Sequence, residues 1–307
     1  MLLLLLGMTA MMLGLMLMRM MLSRLFSHRL QDCLVVLTTS PYRGFLIGMV
    51  GAMLLQGSTA VTLLTVALVS SRVLTFPHSI AILLGANVGT CSTVPLLLAL
   101  PQITSDLRIY FALILVIGLI VRRTRSLVGV VAGLFLMIEG FSLLRSGSAS
   151  LVAVGDLFTY LHAPDTSPPI AITIGIVLTF VLQSASSATL LLTSLAEEQL
   201  FSLHTVCYII YGNNIGSCLS SVLASLAATH EARMTALANL ILNIGGVLLF
   251  LPLTSPLLAL VTALTPITAD RLVILHTVFN LVGSLLLLPF VKQYATLIRT
   301  LYPFKCV

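Results

Sequence analysis

The fold of this chain follows from a short polar stretch, QSASSAT at residues 183–189. A second polar stretch, GNNIGSC, occupies residues 212–218, and both lie within sequence that is otherwise strongly apolar. Each has a counterpart 127 positions earlier, because QGST begins at residue 56 and GANVGTC at residue 85 (183 − 56 = 127 and 212 − 85 = 127). The chain is therefore an internal repeat, and its paired polar stretches are candidates for the functional site.

Composition predicts a membrane protein. Of the 307 residues, 59% are hydrophobic and only 8% are charged, whereas soluble proteins carry roughly 25% charged residues. The net charge of +6 comes from basic residues spread over the predicted loops, so it indicates membrane orientation and not nucleic-acid binding. The five cysteines form no CxxC pair, which argues against a disulfide framework and against a cysteine-ligated metal.

The apolar segments predict an all-α polytopic membrane protein with about seven spans and two hairpins. The hairpins come from segments 44–70 and 169–195, each broken at its centre by a polar stretch. Each arm has only about 11–13 residues, or roughly 17–20 Å of helix, which is too short for a hydrocarbon core about 30 Å thick. We therefore expect re-entrant hairpins whose open backbone meets protein or water. The predicted spans are residues 1–22, 76–100, 107–121, 126–144, 203–228, 234–251 and 271–289.

The repeat divides the chain into three parts. Residues 1–125 form a first transmembrane repeat, residues 126–251 a second, and residues 252–307 an extra span with a short cytoplasmic tail. In each repeat we expect the hairpin to be followed by a helix that is broken at its glycine-asparagine stretch. These broken helices are segments 76–100 and 203–228.

The basic residues orient the two repeats. The predicted inside loops, 19–43, 70–75, 122–125 and 230–233 together with the C-terminus, hold twelve Lys and Arg residues, against three in the outside loops. Arg19 is counted here as a loop residue. This bias predicts an N-terminus outside, a C-terminus in the cytoplasm, a first hairpin entering from the cytoplasm and a second entering from outside. The repeats are then inverted, as in many secondary transporters, in a multi-pass protein of the inner (plasma) membrane.

A helix that breaks inside the membrane exposes carbonyl groups at the end of one arm and N–H groups at the start of the next. The N–H end carries about +0.5 charge and attracts anions, while the carbonyl end carries about −0.5 and suits a cation such as Na⁺. No Lys or Arg lies within the polar stretches, so we expect helix dipoles and co-bound cations to neutralise a bound anion. One stretch alone could simply join helices, but the matched pairs favour a binding site.

These residues resemble the type II sodium/phosphate cotransporter family, which carries twice a QSSS run followed some thirty residues later by GANIGT. Here the copies read QGST with GANVGT and QSAS with GNNIGS. Three later stretches are also similar to the family: HEAR at 230–233, ANLILN at 238–243 and HTVFNLVG at 276–283. Gly57 and Ala185 replace family serines, and the regulator-like domain of many bacterial members does not occur in these 307 residues, as in a short bacterial-type member.

The resemblance implies sodium-dependent symport of inorganic phosphate across the cytoplasmic membrane, with Na⁺ as the coupling ion, no cofactor and no other metal. It implies phosphate-binding residues at the two hairpin breaks, namely Gln56, Gly57, Ser58, Thr59, Gln183, Ser184, Ala185, Ser186 and Ser187. Sodium ligands are expected among the nearby amide and hydroxyl side chains, namely Asn87, Thr90, Asn214, Ser217, Thr62 and Thr189.

Other functions stay open, and so does the oligomeric state. The same pattern fits a transporter of another small anion or a phosphate exporter, whereas a channel would show pore-lining repeats without a closed cation–anion site. An intramembrane enzyme would need a nucleophile and a base at one depth, and the spacing of Ser186 from His204 or His276 gives no support for one. Two i,i+4 pairs 37 residues apart are better interpreted as interhelical contacts than as ligands: Asn239/Asn243 and His276/Asn280.

Overall fold

A computed structural model describes residues 2–36, 40–99, 125–152 and 167–303. Over those ranges the regular elements are all helical, which confirms the predicted all-α class. In chain order the α-helices are α1 (Leu2–Val36), α2 (Pro41–Leu54), α3 (Ser58–Ser70), α4 (Phe76–Thr90), α5 (Thr93–Ala99), α6 (Arg125–Val152), α7 (Pro168–Leu182), α8 (Ala185–Glu197), α9 (Leu203–Ser225), α10 (His230–Phe250), α11 (Thr254–Leu264), α12 (Thr268–Leu287) and α13 (Val291–Leu301). A 3₁₀ turn, Leu288–Phe290, joins the last two.

Both hairpins form where the sequence predicts them. Helices α2 and α3 make the first hairpin, which turns at residues 55–57, and α7 and α8 make the second, which turns at residues 183–184. The four arms have 13 to 15 residues each. At 1.5 Å per residue they are about 20–22 Å long, so no single arm crosses a hydrocarbon core about 30 Å thick.

Six of the seven predicted spans fall within the described residues, and all six are confirmed as helical segments long and apolar enough to cross a membrane. The seventh, residues 107–121, lies outside the described residues. The six segments are Leu2–Phe26, Phe76–Ala99, Ser126–Ala149, Leu203–Ser225, His230–Phe250 and Thr268–Leu301. The chain is therefore a polytopic membrane protein.

Two helical regions extend beyond the spans that the sequence predicts. Helix α1 continues to Val36, beyond the predicted span 1–22, so Arg19, which the charge count placed with the inside residues 19–43, lies in the middle of a helix. The predicted cytoplasmic tail contains α13, which turns an apolar face toward the core. The buried residues of that face have the i, i+3, i+4, i+7 spacing of an amphipathic helix: Val291, Tyr294, Ala295 and Ile298.

The two predicted broken helices have different outcomes. In the first repeat α4 ends at Thr90 and α5 begins at Thr93, so the break lies at the end of the GANVGTC stretch and not at its centre. In the second repeat the prediction of a break in 203–228 is wrong, because α9 runs continuously through GNNIGSC. A glycine-asparagine stretch is thus compatible with an unbroken helix here.

Close helix packing explains the glycines of these stretches. A Cβ on Gly85 would overlap the Phe45 carbonyl of α2, and one on Gly212 would overlap the Ile172 carbonyl of α7. These are one contact repeated, since 212 − 85 = 127 and 172 − 45 = 127, so each hairpin packs in the same way on the helix that follows it. Two further contacts repeat at the same offset: Gly89 with Met49 and Gly216 with Ile176, and Gly48 with Ile82 and Gly175 with Ile209.

Helices α1 and α6 cross as an antiparallel pair through their own glycines. A Cβ on Gly7 would lie 2.7 Å from the Gly140 carbonyl oxygen, and one on Gly14 would lie 2.6 Å from that of Gly133. Gly133 and Gly140 follow Gly7 and Gly14 by the same 126 residues (133 − 7 = 126 and 140 − 14 = 126). Gly7 therefore contacts Gly140, the counterpart of Gly14, and Gly14 contacts Gly133, the counterpart of Gly7. Such a reciprocal pattern is expected where two units are related by a two-fold axis.

Helix α10 holds the two repeats together. Near its start, Ala232 and Ala236 pack in one apolar cluster with Ala52 of the first hairpin. Near its end, Phe250 packs against Phe279 of α12, with ring centroids 5.1 Å apart, in a cluster that also contains Ala171 of α7 and several buried residues of α9. Helix α10 therefore packs against elements of both repeats.

Candidate functional site

The two hairpin tips share one backbone conformation and one side-chain cap. Gln56 and Gln183 adopt left-handed φ angles of 53° and 51°, a conformation that commonly ends helices. Gln56 Nε2 donates to the Met53 carbonyl and Gln183 Nε2 to the Phe180 carbonyl, both at 2.7 Å. The two caps are 127 residues apart, so the glutamine of each polar stretch ends the first arm of its hairpin.

The second arms begin directly after the tips, and here the hairpins differ. Ser184 caps α8 by accepting a hydrogen bond from the Ser187 N–H at 3.2 Å, whereas Gly57 at the equivalent position forms no side-chain cap. Ser186 and Ser187 are 1% exposed, and neither hydroxyl has a hydrogen-bond partner among the described residues. An unpaired buried hydroxyl costs about 1–3 kcal/mol. The N-terminus of α8 thus holds two donors that a ligand could satisfy.

One contact of the second tip is missing from the first. Ser220 Oγ donates to Gln183 Oε1 at 2.7 Å, which joins the tip to α9. The counterparts are Thr93 (220 − 127 = 93) and Gln56, and within the described ranges neither Thr93 Oγ1 nor Gln56 Oε1 has a partner, although both atoms are buried. The break between α4 and α5 comes just before Thr93, where α9 continues as helix. The first repeat therefore has two open oxygens where the second has a closed bond.

One residue of this region was missed in the sequence, Arg19 of α1. Its guanidinium donates from Nε at 3.0 Å and from Nη2 at 2.8 Å to the Gln56 carbonyl oxygen. It lies over Gly57, where a Cβ would come within 2.5 Å of Nη2. Among the described residues no carboxylate pairs with it. An arginine preceded by a long apolar run was the available signal, because such residues inside spans are functional candidates.

Arg19 also reaches the second hairpin. A cavity of about 340 Å³ is lined by Arg19, by Gln183, Ser184 and Ser187 of the second tip, and by apolar side chains of α1 and Leu182. The structure therefore brings a positive side chain, a helix N-terminus and an unpaired hydroxyl to one cavity. The same guanidinium holds the backbone of the first tip. The remaining predicted residues of that tip, Ser58 and Thr59, begin α3 and are buried and half-buried.

Four of the six predicted sodium ligands donate within their own helix. Because the donor is used in this way, the oxygen lone pairs of these side chains remain open to a cation. Thr62 of α3 is also buried, at 2% exposure. The four bonds are Thr90 Oγ1 to Ala86 O at 3.0 Å, Thr189 Oγ1 to Ala185 O at 2.9 Å, Ser217 Oγ to Asn214 O at 2.7 Å and Asn214 Nδ2 to Ile210 O at 2.9 Å.

Asn87 and Asn214 belong to one buried network centred on Asn239 of α10. Asn87 Nδ2 donates to Asn239 Oδ1 at 3.4 Å, and Asn239 Nδ2 donates to Cys218 Sγ at 3.4 Å. Cys218 Sγ in turn donates to the Asn214 carbonyl at 3.4 Å. The glycine-asparagine stretches of both repeats are thus connected through a single residue.

The Asn239/Asn243 pair forms the side-chain contacts between helices that the sequence predicts, and both i,i+4 pairs contact a cysteine of the repeated stretch through a main-chain carbonyl. Cys91 Sγ donates to the His276 carbonyl of α12, and Cys218 Sγ donates to the Asn239 carbonyl of α10, both at 3.7 Å. Each pair therefore receives one cysteine of the repeated stretch. The two cysteines are 127 residues apart and the two residues that they contact are 37 residues apart, so the same type of contact occurs once in each repeat.

The structure does not bring all the predicted site residues to one place. Asn87 lines a second cavity of about 310 Å³ between α10 and α12, together with Asn243, Asn280 and Ser284. Of the residues described, the two cavities share none. Ser186 makes no hydrogen bond to a histidine in the described part of the chain, so no nucleophile–base pair forms there.

The sequence model of the Na⁺/Pi-cotransporter family matches the chain twice, over residues 10–146 and 136–268. The chain belongs to the Na⁺/Pi-cotransporter family. The matches begin 126 residues apart (136 − 10 = 126), which agrees with the internal repeat found in the sequence. Membership of this family makes the chain a membrane transporter and not an enzyme, as the sequence predicts.

Relatives of known name support this assignment. YqeW of Bacillus subtilis (strain 168), an uncharacterized protein, is 30% identical over 283 residues, 90% of this chain and 90% of YqeW. The "Putative inorganic phosphate export protein YjbB" of Escherichia coli (strain K12) is 26% identical over 278 residues, 91% of this chain and 51% of YjbB. "Sodium-dependent phosphate transport protein 2A" of Rattus norvegicus is 32% identical over 145 residues, 45% of this chain and 23% of that protein. The chain spans about half the length of YjbB, and no solved structure matches it.

Proposed function

We propose that this chain carries inorganic phosphate across the cytoplasmic membrane together with Na⁺, as a secondary symporter. The observation that carries the proposal is the pair of buried, unpaired hydroxyls at the second hairpin tip, Ser186 and Ser187, in a member of this family. An uncommitted hydroxyl can donate to a phosphate oxygen, and the N-terminus of α8 adds about +0.5 charge to the same place.

Phosphate binding is assigned in this proposal to the residues of both tips. Hydroxyl and backbone N–H groups donate to the anion, and the glutamines fix the turns that expose those groups. Ala185 contributes its backbone only. The full set is Gln56, Gly57, Ser58, Thr59, Gln183, Ser184, Ala185, Ser186 and Ser187.

Sodium binding is assigned to nearby amide and hydroxyl side chains, most of which use their donors in hydrogen bonds and keep oxygen lone pairs free. This distinguishes them from Ser186 and Ser187, whose donors are uncommitted, because Na⁺ accepts lone pairs and phosphate accepts hydrogen bonds. The proposed ligands are Asn87, Thr90, Asn214, Ser217, Thr62 and Thr189. The open oxygens of Thr93 and Gln56 are further candidates in the first repeat.

We also propose that the repeats are inverted, with the N-terminus outside and the C-terminus in the cytoplasm. The antiparallel contact between α1 and α6 supports this, because counterpart helices related by an axis in the membrane plane run in opposite directions. Contacts between helix ends also support this orientation, because each contact joins two residues that the predicted topology places on the same side of the membrane. Those contacts are Ser70 with Thr229 and His230 with Tyr302 inside, and Arg145 with Glu197 and His204 with Ser255 outside.

Uptake of radiolabelled phosphate by proteoliposomes tests the transport proposal. An inward Na⁺ gradient should drive accumulation that collapses when choline replaces Na⁺. Uptake at the same rate with and without Na⁺ would contradict symport. YjbB, which matches 91% of this chain, is named for phosphate export, so vesicles preloaded with phosphate should also be examined. Efflux that proceeds without a Na⁺ gradient while uptake is absent would favour an exporter.

A further inference from the structure

The proposed phosphate site lacks positive charge if only the two polar stretches are counted. Phosphate groups at neutral pH carry roughly one to two negative charges. The N-termini of two half-helices offer together only about +1. Burying an uncompensated charge at the membrane midplane is costly, so a further cationic group at the site would stabilise the bound anion.

We propose that Arg19 supplies this charge, and that its guanidinium binds the transported phosphate in the cavity shared by α1 and the tip of the second hairpin. The proposal rests on the proposed phosphate transport. It assigns a substrate ligand on α1, outside both polar stretches.

The guanidinium is held in place but is not saturated. Its Nε and Nη2 donate to the Gln56 carbonyl at 3.0 and 2.8 Å, whereas Nη1 donates to nothing in the described part of the chain. A planar guanidinium can bind one oxygen on one edge and a phosphate on another. Gly57 is necessary for this position, because a Cβ there would lie 2.5 Å from Nη2 and 3.0 Å from Cζ.

The cavity beside Arg19 has the groups that an oxyanion needs. Ser184 and Ser187 line it with Arg19, and Ser187 is 1% exposed with a hydroxyl that has no partner in the described residues. The first N–H groups of α8 lie at the same tip. Its volume of about 340 Å³ is sufficient for a small anion. Arg19 thus contributes at a point where both hairpins meet.

A structural role for Arg19 makes a different prediction. If the residue only ties α1 to the first tip, a neutral donor at position 19 would leave phosphate affinity intact. A lipid phosphate is a second source of the same chemistry, because the α1 wall of the cavity includes exposed residues such as Leu13 and Met16. The experiment must therefore separate charge from tethering, and free phosphate from lipid.

The test measures binding of radiolabelled inorganic phosphate, and stabilisation by it, for the purified full chain in detergent. Arg19→Gln should weaken phosphate binding by roughly 10- to 100-fold, and Arg19→Lys should lose less, because it keeps the charge without the planar fork. Arg24→Gln, an exposed arginine on the same helix, is the matched control and should bind as the wild type. Equal affinity in Arg19→Gln and wild type would overturn the proposal, whereas a wild type that binds no phosphate would overturn the proposed function itself.

Gly57→Ala gives an independent test should Arg19→Gln fail to fold. The added Cβ displaces the guanidinium while Arg19 stays in the chain, so phosphate affinity should fall. Where Arg19→Gln does fold, the double variant should lose no more affinity than Arg19→Gln alone. Full additivity of the two losses would contradict the proposal. So would an Arg19→Gln variant that loses stabilisation by phosphatidylglycerol but keeps its affinity for inorganic phosphate.

Discussion

Ser186→Ala and Ser187→Ala should each maintain or raise thermal stability in the absence of phosphate, and each should weaken phosphate binding. Both hydroxyls are 1% exposed and have no partner among the described residues. In the ligand-free protein each pays a desolvation penalty of about 1–3 kcal/mol, which removal of the hydroxyl relieves. With phosphate bound, each can donate to a charged oxygen, and losing that bond costs roughly 1.5–3 kcal/mol, or about 10- to 100-fold in affinity.

The assay combines two measurements on the same preparations. Thermal unfolding without phosphate should occur at the wild-type temperature or above it for both variants, while their apparent KM for phosphate in proteoliposomes should rise by about one to two orders of magnitude. Thr193→Val is the matched control in α8, because Thr193 is equally buried but already donates to the Thr189 carbonyl at 2.8 Å. Its affinity should not change.

The reasoning would be refuted by the reverse result. If Ser186→Ala and Ser187→Ala lower the unfolding temperature and leave the KM for phosphate unchanged, the hydroxyls are structural. They would then be joining helices, as polar side chains in membrane proteins often do.

Two further predictions concern topology and packing. In a background with Cys33 and Cys306 replaced by serine, Ser146→Cys and Gln199→Cys should react with an impermeant thiol reagent from outside, and Ser71→Cys and Thr229→Cys should not; the opposite pattern would contradict the proposed orientation. Gly85→Ala and Gly212→Ala should each lower the stability to thermal unfolding by about 1–3 kcal/mol through overpacking, since a Cβ there overlaps a carbonyl, whereas Gly245→Ala should be tolerated because nothing lies within 4 Å of its Cβ. Equal stability of all three glycine variants would rule out the packing explanation.

The repeat was the part of the fold that could be predicted best. The 127-residue offset in the sequence reappears in the left-handed glutamines of the tips, and again in Arg72 and Gln199 at φ 60° and 57° (199 − 72 = 127). It reappears in the glycine contacts of each hairpin. Similar short motifs at one spacing indicate a repeated unit, so the hairpin positions could be derived without coordinates.

The break in α9 was predicted wrongly because a glycine-rich stretch can either interrupt a helix or allow close packing of two helices. Glycine lowers helix propensity, but it also lets two backbones approach closely, and only the neighbouring helix shows which effect dominates. Gly212 meets the Ile172 carbonyl of α7 in an unbroken helix. The neighbouring Asn213 adds to the contact. With its side-chain amide in the orientation that lets both the oxygen and the nitrogen form hydrogen bonds, the nitrogen donates to Thr179 Oγ1 at 2.9 Å.

Arg19 lies near the end of the predicted span 1–22 and was counted only among the inside charges. Charge counting treats a basic residue at the end of a span as an orientation signal, and it does not show what the side chain contacts. The bond to the Gln56 carbonyl joins residues 37 apart, so tertiary structure alone places Arg19 at the site. The spacing of α13, in contrast, was readable as an amphipathic helix from its sequence.

Linkage between phosphate and Na⁺ tests the central claim most directly. If the two hairpin tips form one site where a phosphate and Na⁺ neutralise each other, phosphate should bind the purified protein more tightly in Na⁺ than in choline at equal ionic strength. By reciprocity, phosphate should tighten Na⁺ binding by the same factor. Isothermal titration of each ligand in the presence and absence of the other gives both factors. Equal, large factors are predicted, and a phosphate affinity that is the same in choline and in Na⁺ would contradict the shared site.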